Sequence, residues 1–262
     1  MRLVKKIMFL FILLLTGNIL IGSDLTKEEF IKTFKAKKIF YRQNKKNQKE
    51  MILIKKESII TNSDFKYFVL IDNLTEIDIF TPVNITNDGL LHLSEIKTLK
   101  IVTLCGSNIT DDSLKFLENS VNLESLHLCS CNISGSGLKY IADKIKVDTL
   151  DFESIPINDN AIKNIKDLVN IEYLVLNKTK ITDNGLSYLV NLKKMKRLSL
   201  HETNITDKSV PYIIEMMGNK QDKYDTYLII YETKISRKGV KKLLEAGIQV
   251  NCDYKDLSSE IP

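Results

Sequence analysis

The chain has 262 residues, 44% of them hydrophobic and 27% charged, a balance that excludes a wholly disordered protein. Ten glycines and four prolines exclude collagen-like and proline-rich linker architectures. The formal net charge of +5 is unevenly placed: residues 24–70 carry twelve basic and six acidic side chains and residues 71–262 carry 23 and 27, so no uniformly basic nucleic-acid face is expected.

Residues 1–23 read as a secretory signal peptide. Arg2, Lys5 and Lys6 form a basic start, and the run from Ile7 to Ile21 is apolar except for Thr16, Gly17 and Asn18. That core is shorter than the roughly 20 residues of a comfortable membrane span, and Gly22 and Ser23 offer a cleavage point before Asp24. No cysteine lies near residue 23 to take a lipid, so the mature chain is expected to work outside the cytoplasm: secreted, periplasmic or at the cell surface. Residues 24–70 form an N-terminal cap. Thr26 and Glu29 have capping-box spacing and predict a helix over about 26–36. The segments IFYRQ and MILIKK flank the polar run NKKNQKE and predict a hairpin.

From residue 71 the chain repeats itself. Closely similar segments begin at Ile77, Val102, Leu126, Leu150, Leu174, Leu198 and Leu228; the middle five are spaced by 24, the first interval is 25 and the last is 30. Each copy opens with apolar–any–apolar, as in Leu126–Leu128, the period of a strand with one buried face. Another apolar residue stands three positions earlier at Leu99, Leu123, Val147, Ile171 and Met195. The second half opens on an isoleucine (Ile85, Ile109, Ile133, Ile157, Ile181, Ile205, Ile235) followed by Thr, Ser or Asn, side chains that start helices by accepting from free backbone N–H groups. Apolar residues then recur at spacing three, as in Leu114 and Leu117 or Leu186 and Leu189, the buried stripe of a short helix. One copy cannot bury its own apolar face, whereas stacked copies share a continuous core. About seven copies therefore predict a solenoid over 71–247, with IQVNCDY starting a C-terminal cap over 248–262 as a last short strand.

The pattern LxLxxTxITDxGLxxL resembles a leucine-rich repeat, nearest the cysteine-containing subclass in which Cys, Thr or Ser replaces the usual inward Asn; here that position holds Ser107, Cys131, Ile155, Thr179, Thr203 and Thr233. The resemblance covers roughly 74–250 and implies an α/β solenoid with a curved parallel sheet on the concave side and short helices on the convex side. Ile155 with Pro156 predicts an irregular fourth turn, and GNKQDKYD at 218–225 predicts a polar bulge. Similar ITDxGL repeats occur in F-box substrate receptors of ubiquitin ligases, but residues 24–64 are too few for an F-box module and the apolar N-terminus argues against the cytosol.

Catalytic signatures are absent: there is no GxSxG, P-loop, GxGxxG or HExxH. Residues 24 apart become neighbours across strands, which would gather His127, Asp151, Cys105, Cys129 and Glu153 into one patch. A metal-dependent enzyme there is the alternative reading, weakened by the lack of a ligand-pair motif and by the poor tetrahedral geometry of a flat sheet. Cys105 and Cys129 fall within disulfide range, although neighbouring parallel strands seldom align side chains for the bond. Cys131 is expected inward and Cys252 unpaired. No cofactor or metal is assigned.

The concave face is left to carry function. Tyr173, Arg197, Tyr227 and Tyr231 cluster toward its C-terminal end, with His201 beside them and Asp151 and Glu153 toward the middle. Tyrosine and arginine dominate interface energetics, so these seven residues are the candidate protein-binding set of a non-catalytic recognition protein. A protein partner and a monomeric chain are expected. The basic cap (Lys35, Lys37, Lys38, Arg42, Lys45, Lys46, Lys49) offers peripheral contact with an anionic surface.

Overall fold

The structure, a computed structural model, describes residues 26–254 except 45, 47–48, 56, 81–84, 107 and 219–225. The signal segment, inward Ser107, most of the 218–225 bulge and the end of the C-terminal cap lie outside the described residues. One ten-stranded sheet runs through the molecule in chain order. Its strands are β1 (Phe40–Gln43), β2 (Glu50–Ile54), β3 (Leu74–Phe80), β4 (Ile101–Cys105), β5 (Ser125–Cys129), β6 (Thr149–Asp151), β7 (Tyr173–Val175), β8 (Arg197–Ser199), β9 (Tyr227–Ile229) and β10 (Gln249–Asn251). β1 and β2 are antiparallel and every later pair is parallel.

The alternation in each repeat sets the faces of the sheet. Ile77, Val102, Leu126, Leu150, Leu174, Leu198 and Leu228 are fully buried, as are the preceding Leu99, Leu123, Val147, Ile171 and Met195. The isoleucines opening each second half close the core from the other side. The segments behind them are short helices: α1 (Lys27–Ala36) in the cap, then α2 (Asn87–Leu91), α3 (Asp159–Ile162), α4 (Asp183–Ser187), α5 (Val210–Met217) and α6 (Arg237–Glu245). Six further segments are 3-10 helices, among them Asp111–Asn119 and Ser136–Tyr140. The spacing of three in the sequence explains them, because three residues per turn line up Leu114 with Leu117 on one buried edge. α1 starts at the Thr26–Glu29 capping box, and Lys27, Tyr41 and Gln43 surround the buried Glu50 carboxylate.

The coils that follow β4 to β9 turn out of their strands on a left-handed residue: Gly106, Ser130, Ser154, Lys178, Glu202 and Glu232 all have φ between 51° and 71°. After the last five of these, four of the next residues return hydrogen bonds: Thr179, Thr203 and Thr233 donate to the Leu176, Leu200 and Ile230 carbonyls of their own coils, and Cys131 Sγ donates to the Cys129 carbonyl and to the Leu104 carbonyl of the preceding strand. Ile155 makes no such bond. Its turn keeps the left-handed Ser154, and the irregularity is a tight Ile157 N–H to Ile155 carbonyl contact of 2.9 Å.

The hydroxyl residues after each isoleucine divide into two groups. Asn158, Thr182, Thr206 and Ser236 cap their own helices as expected. Thr86 and Thr110 make no cap bond, and the fourth 3-10 helix is capped at Gly135 rather than Ser134. Each of these positions except Asn158, whether or not it caps its own helix, is tied to the preceding coil. Asp183 accepts from Thr206 N–H and Oγ1, both at 2.7 Å, and from Ser209 Oγ. Asp159 accepts from Thr182 N–H at 2.8 Å and Oγ1 at 2.6 Å, and Asp207 does the same for Ser236. Asp111 accepts from Ser134 and from Gly135 and Gly137 N–H. Asn62 and Asn87 hold Thr86 and Thr110 similarly, but their amides donate to the hydroxyl and so occupy the oxygen that would otherwise cap the helix.

This ladder makes the solenoid acid-sensitive. Burial by itself would raise the Asp111 pKa, but the hydrogen bonds from Gly137, Ser134 and Gly135 outweigh it and the value is lowered; at Asp183 burial is likewise outweighed, by Ser209 and Thr206. A carboxylate with a depressed folded-state pKa adds stability above its unfolded value and loses it as pH falls through the folded value. The urea midpoint should therefore be level near neutrality and fall below about pH 4, and Asp183→Asn should flatten that fall. An acid limb equally steep in the variant would contradict the assignment.

Candidate interaction surface

Successive strands stack equivalent residues in columns on the concave face. Tyr173 pairs with Arg197 and Arg197 with Tyr227, each in register across the parallel sheet. Tyr173 is 42% exposed and Arg197 is exposed, with its guanidinium carbon 5.7 Å from the Tyr227 ring centroid. Asn251 on the last strand fixes both remaining tyrosines: its amide donates to Tyr227 Oη at 2.9 Å, and Tyr231 Oη donates to its carbonyl oxygen. His201 meets Tyr231 edge to face at 6.3 Å, and its Nδ1 lies 3.3 Å from the Tyr231 carbonyl. Rings held at their hydroxyl ends lose little further freedom on binding, which favours them as anchors. The structure thus brings five of the seven candidates together. Asn251 was not in the sequence-derived set, where IQVNCDY signalled a strand and nothing more.

Asp151 and Glu153 belong to a second patch nearer the middle. Asp151 accepts from the Glu153 N–H at 3.0 Å and faces His127 Nδ1 at 3.7 Å, while His127 Nε2 lies 2.7 Å from Ser125 Oγ. A hydroxyl, an imidazole and a carboxylate are thus aligned on an open sheet, with the carboxylate beyond hydrogen-bond distance.

Cys105 and Cys129 are joined by a disulfide, with Cα atoms 4.5 Å apart. This decides a pairing that the sequence leaves open. The two residues are direct register partners at the ends of β4 and β5, where the chain turns away, so their Cβ atoms share one side of the sheet. The bond also removes both thiolates from the five-ligand patch that the sequence suggested around His127. Neither the buried Cys131 nor the half-buried Cys252 forms a disulfide, and burial raises the Cys252 thiol pKa.

In the basic cap, Lys37 is committed inward to the buried Asp64 at 3.0 Å, and Lys45 lies outside the described residues. No helix among the described residues is long and apolar enough to cross a membrane.

The leucine-rich repeat family model matches residues 119–142 and 168–190. The chain has the leucine-rich-repeat fold. Among solved structures it is similar to the internalin inlF of Listeria monocytogenes, at 16% identity and a TM-score of 0.53, over 71% of this chain and 56% of that one. It is also similar to internalin C2 (inlC2) of the same organism, at 17% identity and a TM-score of 0.50, over 74% of this chain and 84% of that one. This leucine-rich-repeat chain therefore spans little more than half of the first internalin, and at these identities the likeness concerns the fold. No curated protein matches the sequence.

Proposed function

We propose that this chain is a non-catalytic recognition protein, acting outside the cytoplasm, that binds a protein partner through the C-terminal part of its concave face. The observation that carries the reading is the Tyr173–Arg197–Tyr227–Tyr231 cluster, whose last two rings are clamped by Asn251. A leucine-rich-repeat solenoid supplies the rigid, extended ledge on which such a cluster works. Ten strands at about 4.8 Å spacing give a face more than 40 Å long, the scale of a protein ligand.

Two features support a location outside the cytoplasm. One is the basic-then-apolar segment of residues 1–23, read as a signal peptide preceding a cap over 24–70, a solenoid over 71–247 and a terminal cap over 248–262. The other is the Cys105–Cys129 bond, which persists in oxidising compartments. The bond also speaks against the ubiquitin-ligase receptor reading, and by removing two ligands it weakens the metal-enzyme reading at His127. The chain is taken as a monomer, and contact of the basic cap with an anionic surface is secondary.

The test is to capture a partner with the mature protein from its own cell envelope and from host surfaces, then to measure affinity. Arg197→Ala and Tyr227→Ala should each weaken binding by roughly ten-fold or more, the loss typical of interface anchors. Unchanged affinity in both variants would overturn the site.

A further inference from the structure

Beside the tyrosine cluster, two successive left-handed turns place like charges on adjacent coils. Glu202 and Glu232 occupy the same position in their repeats, and both are exposed. His201 stands next to them, and one ligand atom from each of the three lies within 4.8 Å of the other two. Among the described residues this is the one group of that kind.

The imidazole is oriented in a particular way. In the tautomer that places the proton on Nδ1, the N–H meets the Tyr231 carbonyl at 3.3 Å, which can only accept. In the neutral ring Nε2 is then a lone pair, and it points at Glu202 Oε1 from 2.8 Å. Two acceptors facing each other at that distance need a positive centre, either a second proton on the ring or a cation. Ring nitrogens that bind metals commonly have their other N–H fixed by a backbone carbonyl, which is the arrangement here. Lys178, 3.2 Å from Glu202, neutralises one of the two glutamates. Glu232 has no side-chain partner among the described residues, and Asp253, bound to the Glu232 N–H at 2.8 Å, adds a further negative charge.

We propose that His201 Nε2 and one oxygen each from Glu202 and Glu232 form a site for a divalent transition ion of the zinc type. One imidazole and two carboxylates are ligands suited to zinc(II), and three protein ligands leave a fourth position open. The ion would tie together the coils that carry Arg197 and Tyr227. The site is distinct from the His127 patch, and its argument does not depend on the identity of any binding partner.

The experiment is a titration of the full chain with zinc chloride by calorimetry, paired with cobalt(II) absorption as a readout of nitrogen and carboxylate coordination. One zinc per chain is expected, with affinity falling roughly ten-fold or more in His201→Ala and in Glu232→Gln, and with the cobalt spectrum altered in both. His127→Ala and Cys252→Ser should bind as the parent does. Because both glutamates are exposed and His201 is partly exposed, circular dichroism should show the variants folded. No stoichiometric zinc in the parent chain, binding indifferent to His201→Ala and Glu232→Gln, or binding lost with His127→Ala or Cys252→Ser would each overturn the proposal.

Discussion

Replacing Cys105 and Cys129 together by serine is expected to destabilise the protein by about 3 kcal/mol, measured as a fall in the urea midpoint at neutral pH. The bond closes a loop of 24 residues, one whole coil, and its main effect is to restrict the unfolded chain. Serine is close to cysteine in size, and both positions are half-exposed at the concave surface, so the substitution leaves no cavity in the core. A reducing agent should reproduce the loss in the parent protein and do nothing further to the variant. The solenoid adds a second expectation. Coils contact mainly their neighbours, so loss of the crosslink weakens the interface between two adjacent coils more than it weakens the C-terminal end. Hydrogen exchange should accelerate most in β4 and β5 and least around Tyr227. Equal midpoints for the parent, the reduced parent and the variant would mean that the bond contributes nothing to stability.

The repeat was legible because its two signals are periodic and strong. Leu126, Leu150 and Leu174 recur at one interval and share one environment, and the isoleucines do likewise. Columns on the open face follow from that interval by arithmetic, so Tyr173, Arg197 and Tyr227 could be set side by side before any coordinates. Contacts that depend on side-chain direction across coils were not legible. Thr182 reads as a helix cap on its own, and nothing local shows that its hydroxyl also donates to Asp159, 23 residues earlier. Asn251 belongs to the cluster only because a tenth strand places it beside Tyr227. The disulfide stayed an open possibility for a related reason: the repeat interval puts Cys105 and Cys129 in one column, but whether their side chains turn toward each other depends on rotamers that no interval encodes.

Gly185→Ala is expected to cost about 2 kcal/mol, and the same change in an Asp159→Ala background to cost almost nothing or to stabilise. A Cβ at residue 185 would stand 2.4 Å from Asp159 Oδ1, the atom that accepts from the Thr182 N–H. The carboxylate cannot retreat without breaking the bonds that hold the next coil. Gly239 is constrained in the same way by Asp207, again at 2.4 Å. The glycine of the ITDxGL motif is therefore the space that the previous coil's aspartate requires. The chain itself contains the double substitution. Where the aspartate position holds Gly135, the partner position holds Ala161, and a Cβ on Gly135 would come within 2.3 Å of the Ala161 Cβ. Ser209 shows the other solution: it keeps Asp183 opposite and donates its hydroxyl to that carboxylate. Asp159→Ala alone should cost roughly 1–3 kcal/mol, because the half-buried Thr182 N–H and hydroxyl lose their acceptor. Once that carboxylate is gone, the close neighbour left is Ile181 Cγ2 at 3.1 Å, which must give by a few tenths of an ångström, and alanine gains the higher helix propensity over glycine within α4, roughly 0.5–1 kcal/mol. A double-mutant cycle from urea unfolding of the four proteins measures the coupling. If Gly185→Ala costs the same with and without Asp159, the glycine answers to some other contact and the ladder is not what fixes the motif.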